Sequence, residues 1–125
     1  MNIDHFTKLE AWQISHELVL AVYMVLKKFP KEERFGIIDQ LRRAVSSITA
    51  NIAEGWGRYH FADRIKFYYQ ARGSCSEVQN FLILSKDLGY LDKSEFDKLN
   101  AMCDRCFKII SGLIRAIDKL KEESR

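Results

Sequence analysis

The sequence predicts an all-α protein, an up-down antiparallel four-helix bundle. Apolar residues recur at steps of three and four in four long stretches, no stretch shows the clean alternation of a strand, and the intervening breaks are short. Short connections between long helices make sequence neighbours antiparallel neighbours in space.

The first helix is predicted from Thr7 or Lys8 to Lys28, with Leu9, Trp12, His16, Val19, Tyr23 and Leu26 recurring along it. It stops at Phe29-Pro30, because the residue before a proline is pushed out of helical conformation. The segment "PKEE", Pro30 to Glu33, is expected to open the second helix. There the missing proline amide is harmless, and the acids suit the positive end of the helix dipole. This helix continues through Ile37, Leu41, Ala44, Val45, Ile48 and Ile52 to Gly55 or Gly57, where glycine is expected to release the chain through a positive φ.

The third helix is predicted from Phe61 to Leu88, with Gly89 as its left-handed cap and Tyr90 folding back on the last turn. Asp92 and Glu95 then form a capping box at the start of the fourth. Along that helix Phe96, Leu99, Cys103, Cys106, Ile110, Leu113, Ile117 and Leu120 make a heptad seam, widened by Met102, Ile109 and Ile114. The first helix is apolar nearly all round between Leu18 and Leu26, which exceeds what one bundle face requires. A subunit interface is therefore expected on its other side.

The 125 residues fit one domain, 1–125, and 47% hydrophobic with 30% charged residues are globular values. The start "MNIDHFTKLE" lacks the pattern of a secretory signal, and the longest apolar run, Leu18 to Leu26, is nine residues. A soluble, cytoplasmic protein without membrane contact is expected. Three cysteines at irregular spacing make a poor disulfide framework and fit a reducing compartment. Residues 27–72 hold ten Lys/Arg against five Asp/Glu, while the rest holds ten against twelve. A basic centre of this kind favours a polyanionic partner.

Enzymatic motifs fare poorly. Cys103-Asp-Arg-Cys106 has the spacing of zinc and redox sites, but only Cys75 and the scattered His5, His16 and His60 could complete a ligand set. Both cysteines also lie on the fourth-helix seam, where cysteine packs as a small hydrophobe. The Glu-x-x-His motif of di-iron bundles is absent, since Asn2, Gln13 and Gly57 stand three before the histidines. Gly55-Trp-Gly57 has neither the partner residues nor the preceding strand of a phosphate loop. No catalytic residue, metal or cofactor is expected.

Two polar features remain. Gln40, Arg43, Ser47, Asn51, Glu54 and Arg58 form a stripe on the second helix, and the small residues of Ala71 to Glu77 match it on the third. A buried carboxylate needs a cation, so Glu54 is expected to pair with Arg72, within a polar network that includes Asn51 and Glu77. The competing reading is a solvated face; a network would sit at a helix pair or a subunit boundary. In "RYHFADRIKFYYQAR", Arg58 to Arg72, cations alternate with rings, which supplies charge for phosphates and faces for stacking on bases.

These residues carry a resemblance. Trp12-Gln13, Phe29-Pro30 with Glu33 and Gly36, Gln40 to Ala44, Ser47-Ile48, the "NIAEG" of Asn51 to Gly55, and the "ARGS" of Ala71 to Ser74 with Glu77 resemble the bacterial four-helix bundle proteins encoded in intervening sequences of 23S rRNA genes. The likeness runs from about Leu9 to Leu91, and the fourth helix matches in pattern alone. Thr49 departs from it, standing where the family often has proline. The resemblance implies a ring-like oligomer, a homopentamer, related to the accessory protein of diversity-generating retroelements, which works with a reverse transcriptase and nucleic acid. It implies no catalytic residues. The expected function is therefore a non-enzymatic oligomer that binds RNA or DNA through Arg42, Arg43, Arg58, Arg64 and Lys66. The alternative is a protein-interaction scaffold or polymerase accessory with no nucleic-acid binding of its own.

Overall fold

Four helices account for most of the chain in a computed structural model that describes residues 3–125. They are α1 (Glu10–Leu26), α2 (Ile37–Trp56), α3 (Phe61–Asp87) and α4 (Lys93–Glu123), with short 3-10 turns at Phe6–Lys8 and Lys31–Glu33. No strand occurs among the described residues. Each helix packs on its two neighbours in the cycle α1, α2, α3, α4, and the backbones of the diagonal pairs α1/α3 and α2/α4 do not come close. All neighbours run antiparallel. On α3 and α4, Gln79 meets Asp104 while the earlier Arg72 meets the later Ser111; on α1 and α4, Lys28 pairs with Glu95 while Cys106 reaches back to Ile14.

The helix ends are set by local chemistry. Gly89, at φ +82°, is the one described residue with a positive φ; its amide donates to the Lys86 carbonyl at 3.0 Å and the Tyr90 amide to that of Ser85 at 2.9 Å. This double closure is a Schellman motif, which satisfies carbonyls that the end of α3 would otherwise leave open. Asp92 and Glu95 form the capping box reciprocally, Glu95 N to Asp92 Oδ1 at 2.7 Å and Asp92 N to Glu95 Oε1 at 3.0 Å. Both devices lie where the residue order places them.

The start of α2 differs from expectation. "PKEE" forms a separate 3-10 turn, and α2 begins only at Ile37, after Gly36. The reason lies in Glu33, whose carboxylate accepts from the Ile37 amide at 3.4 Å and from the Tyr90 hydroxyl at 2.8 Å. A Cβ on Gly36 would stand 2.5 Å from that carboxylate oxygen, so glycine leaves the room it needs.

The far end of α2 also differs. Neither Gly55 nor Gly57 has a positive φ; Gly57 lies at −75° in ordinary right-handed conformation. Gly55 is instead a packing glycine, buried inside the helix, where a Cβ would meet the Tyr68 ring at 2.7 Å. α2 closes on α3 there because the missing side chain of Gly55 leaves room for the Tyr68 ring.

The core is a single cluster in which Leu18, Leu41, Ile48, Ile52, Leu82 and Ile110 are fully buried. Burying such side chains contributes about 1.5–3 kcal/mol each before conformational entropy is counted. On α1 the buried face is Ala11, Ile14, Ser15, Leu18, Val22 and Leu26. Of the predicted stripe only Leu26 is buried, and Tyr23 is exposed, with its hydroxyl 3.2 Å from Ser46 Oγ on α2. The predicted stripe is thus the edge of α1 that flanks α2. On α4 the seam holds from Leu99 to Ile110 and again at Ile117, with Ile114 buried in place of the half-buried Leu113 and Leu120 exposed.

Candidate nucleic-acid interface

The α2–α3 turn gathers three of the five basic residues singled out in the sequence. α2 ends at Trp56, the chain turns through Gly57 to His60, and α3 starts at Phe61. Arg64 holds the turn by donating from Nε to the Arg58 carbonyl at 2.6 Å. Arg58 donates from Nη2 to Glu54 Oε1 at 2.5 Å, with its guanidinium 4.7 Å above the Phe67 ring. Arg64 lies 5.7 Å from the Phe61 ring centre. Lys66 is exposed on the next turn and joins no ion pair among the described residues.

Tyr59 stands at the tip of this turn, 85% exposed, edge-on to His60 at 5.1 Å. It borders two open hollows that share Arg64: one of about 520 Å³ with Trp56, Arg58 and Tyr68, and one of about 420 Å³ with His60, Phe61 and Ser124. Tyr68 closes the deep side of the first. Burial pushes its phenol above the usual tyrosine range, and the nearby Arg64 charge partly opposes this. The arrangement offers a free ring face beside two guanidiniums that are oriented by weak, solvent-accessible partners.

Arg42 and Arg43 lie elsewhere. Arg42 lies fourteen residues before the end of α2 at Trp56, about 21 Å along the helix at 1.5 Å per residue. Arg43 is held by Asp39 at 3.0 Å one turn back. Arg42 borders a groove of about 330 Å³ between α1 and α2, together with Tyr23, Leu26, Lys27 and Ile38. That groove runs into a second hollow of about 650 Å³, which adds Phe29, Lys31, Arg34 and Phe35. Phe35, 85% exposed, was not foreseen; an aromatic between Arg34 and the helix-breaking Gly36 was its available signal.

The expected Glu54–Arg72 pair does not form within the chain. Glu54 is solvent-exposed and takes Arg58, its i+4 neighbour, so it never faces the desolvation cost that would demand Arg72. Arg72 turns to α4, where it donates to Ser111 Oγ at 3.3 Å and lies within 5.2 Å of the Tyr69 and Phe107 ring centres. Asn51 donates to the Ser47 carbonyl at 2.8 Å in its own helix, and Glu77 is exposed. Across the α2–α3 contact the polar link is instead Ser47 hydroxyl to Ser74 hydroxyl.

The three thiols are fully buried and free. Cys106 Sγ donates to the Ile14 carbonyl at 3.8 Å, which ties α4 to α1. A hydrogen bond with Cys106, then burial, push Cys75 up; burial, together with the charges of Cys106 and Asp104, pushes Cys103 to about 12. Held protonated in this way, Cys75 and Cys103 pack as apolar groups and react slowly, whereas the hydrogen bond with Cys75 draws Cys106 below the usual thiol range.

Fold and turn together define an all-helical four-helix protein with a basic, aromatic rim at one end, and no described helix is long and apolar enough to cross a membrane. The chain belongs to the 23S rRNA-intervening sequence protein family, whose sequence model matches residues 7–112. The match extends past the resemblance read from the motifs, into α4. In fold the chain is similar to a crystal structure of a protein with unknown function from the S23 ribosomal protein family of Bacteroides thetaiotaomicron VPI-5482. The TM-score is 0.78 at 23% identity, covering 83% of this chain and 97% of that one. No curated protein matches the chain in sequence.

Proposed function

We propose that the protein is a non-enzymatic, ring-forming subunit, a homopentamer as the resemblance of its motifs implies, that binds RNA at the α2–α3 turn. The observation that carries the nucleic-acid reading is Tyr59, 85% exposed beside Arg58 and Arg64 at the mouth of an open cleft. A large ring so exposed gains nothing from folding, whereas stacking on an unpaired base covers its face, and the guanidiniums supply phosphate contacts. Assembly is supported by Leu20 and Met24, which remain exposed on α1 in the single chain.

Titration of a labelled single-stranded RNA at several salt concentrations tests the binding surface. The double variant R58E/R64E is expected to weaken binding at least tenfold and to flatten the log–log salt dependence by about 1.4 or more, the loss of two phosphate contacts on single-stranded nucleic acid. Unchanged affinity and slope, in a variant whose helix content is intact, would overturn the assignment. The scaffold reading would then stand in its place, tested by recovery of a nuclease-insensitive protein partner.

A further inference from the structure

We infer that the cleft beneath Tyr59 holds one nucleotide of the bound strand, its unpaired base inside and its phosphate at the start of α3. This narrows the RNA reading above to a single unit and rests on it. The cleft, of about 520 Å³, falls within the ~300–1,000 Å³ usual for ligand pockets. Its walls are the rings of Trp56 and Tyr59 and the aliphatic side chains of Leu9, Leu113 and Ile117. Trp56 also packs edge-on against Phe6, with 6.4 Å between ring centres, which anchors that wall.

The floor carries a polar group with no partner. Tyr68 is 2% exposed and lines the cleft, yet its hydroxyl joins no hydrogen bond among the described residues. Nor is that hydroxyl sealed in, because among the described residues only Ser15 Oγ is a side-chain oxygen or nitrogen both buried and unpartnered. The Tyr68 oxygen therefore opens into the cleft, and its ring is held by filling the room that Gly55 leaves. A hydroxyl placed in this way keeps its hydrogen-bonding capacity for whatever enters.

Charge lies to one side. Tyr59 and Arg64 border both this cleft and the hollow of about 420 Å³ at the start of α3. Arg64 is oriented by its Nε bond to the Arg58 carbonyl, and its two terminal nitrogens join no hydrogen bond among the described residues. His60, the N-cap of α3, lends no side-chain bond, so the amides of the first turn are open as well. Asp63, the acid of that turn, borders neither hollow. An anion there meets a guanidinium fork and a helix N-terminus together. The matching occupant is a flat ring with hydrogen-bonding edges, joined over a short span to an anion, which is a nucleobase with its phosphate. The base must be unpaired, since pairing would turn its edge to another base and keep it stacked.

Equilibrium dialysis of the four nucleoside 5′-monophosphates, beside titration of a single-stranded RNA, tests it. At least one monophosphate is expected to bind saturably, with its nucleoside and ribose 5-phosphate each about tenfold or more weaker, since each lacks half of the match. Y68F is expected to weaken that nucleotide and the RNA about two- to tenfold, the loss of one hydrogen bond, with an unchanged or raised thermal midpoint because the hydroxyl bonds nothing in the chain. L113W, which fills the cleft from a half-buried wall position, is expected to abolish nucleotide binding and leave a weaker RNA affinity held by Arg58 and Arg64. Ribose 5-phosphate binding as tightly as the nucleotide, or folded Y68F and L113W variants that bind both ligands as wild type does, overturn the cleft and leave RNA on its outer rim standing. RNA binding with no monophosphate binding does the same. A nucleotide that binds where RNA does not overturns the RNA reading and assigns the cleft to a free nucleotide, and failure of both ligands overturns the two together.

Discussion

The two ends of the bundle are both basic and both display an exposed aromatic ring, yet they treat their cations differently. At the α2–α3 turn, Arg58 and Arg64 are oriented by Glu54, by a carbonyl and by rings, around a cleft that stays open. At the α1–α2 end, Lys27, Lys31, Arg34 and Arg42 surround an apolar floor of Leu26, Phe29 and Ile38 and join no ion pair among the described residues. Counting charges would rank the second end as the better polyanion site. Partnering and surroundings reverse that ranking: oriented guanidiniums beside a free ring suit phosphates and bases, whereas at the other end the exposed Phe35 ring already carries Arg34 at 5.2 Å and the remaining cations rim an apolar floor that suits a partner with its own apolar cover.

The comparison breaks most sharply at Gly55, which lets the α2–α3 end close. G55L is expected to cost about 1–3 kcal/mol or more, since its Cβ alone would lie 2.7 Å from the Tyr68 ring in a packed site. The nearby G57A is expected to be neutral or to stabilise by about 0.4–1 kcal/mol, because Gly57 has φ −75° and only ordinary contacts around it. Denaturant midpoints of the two variants check the pair. Equal losses at both positions would mean that the glycines act by backbone conformation after all.

Next in size is Y59A. Loss of one stacked base is expected to weaken single-stranded RNA binding by about 1–3 kcal/mol, while folding stability shifts by less than about 0.5 kcal/mol. F35A at the opposite end removes an equally exposed ring and is expected to leave RNA affinity unchanged. If the two variants weakened RNA binding equally, the two ends would share one role and the contrast between them would fail.

What the residue order revealed follows from how local each signal is. The Gly89 cap and the Asp92/Glu95 box need only residues within a few positions of each other, and both form as read. The heptad of α4 is nearly as local, and it drifts after Ile110 because an ideal helix rotates away from a strict seven-residue repeat. α1 was harder, because a helix apolar all round from Leu18 to Leu26 is consistent with several faces, and only α2 and α4 select Ala11, Ile14 and Val22. The Glu54 pairing and the groove at Phe35 depend on tertiary exposure, which periodicity does not encode. Gly55 needed the position of Tyr68, thirteen residues on and across the contact.

The smallest expected effect lies in the clamp that ties the α1–α2 end to α3. The Tyr90 hydroxyl donates to Glu33 Oε2 at 2.8 Å, and the same carboxylate caps α2 at Ile37. That hydrogen bond, first among the causes, raises the Tyr90 pKa above the ordinary tyrosine value of about 10. A group whose folded pKa is raised binds its proton more tightly in the native state. Its stabilisation is therefore complete below the unfolded value and is lost as pH climbs through the folded one. Y90F removes this contribution, so wild type is expected to exceed Y90F in stability by a constant margin through neutral pH, and the margin to shrink above about pH 10. Tyr68, raised by burial, also lowers stability in alkali, but it is present in both proteins and cancels in the difference. Urea midpoints of the pair between pH 7 and pH 11 check the sign. No margin at any pH, or one that grew with pH, would show that Tyr90 contributes through its ring against Phe29, which Y90F keeps, and not through its hydroxyl proton.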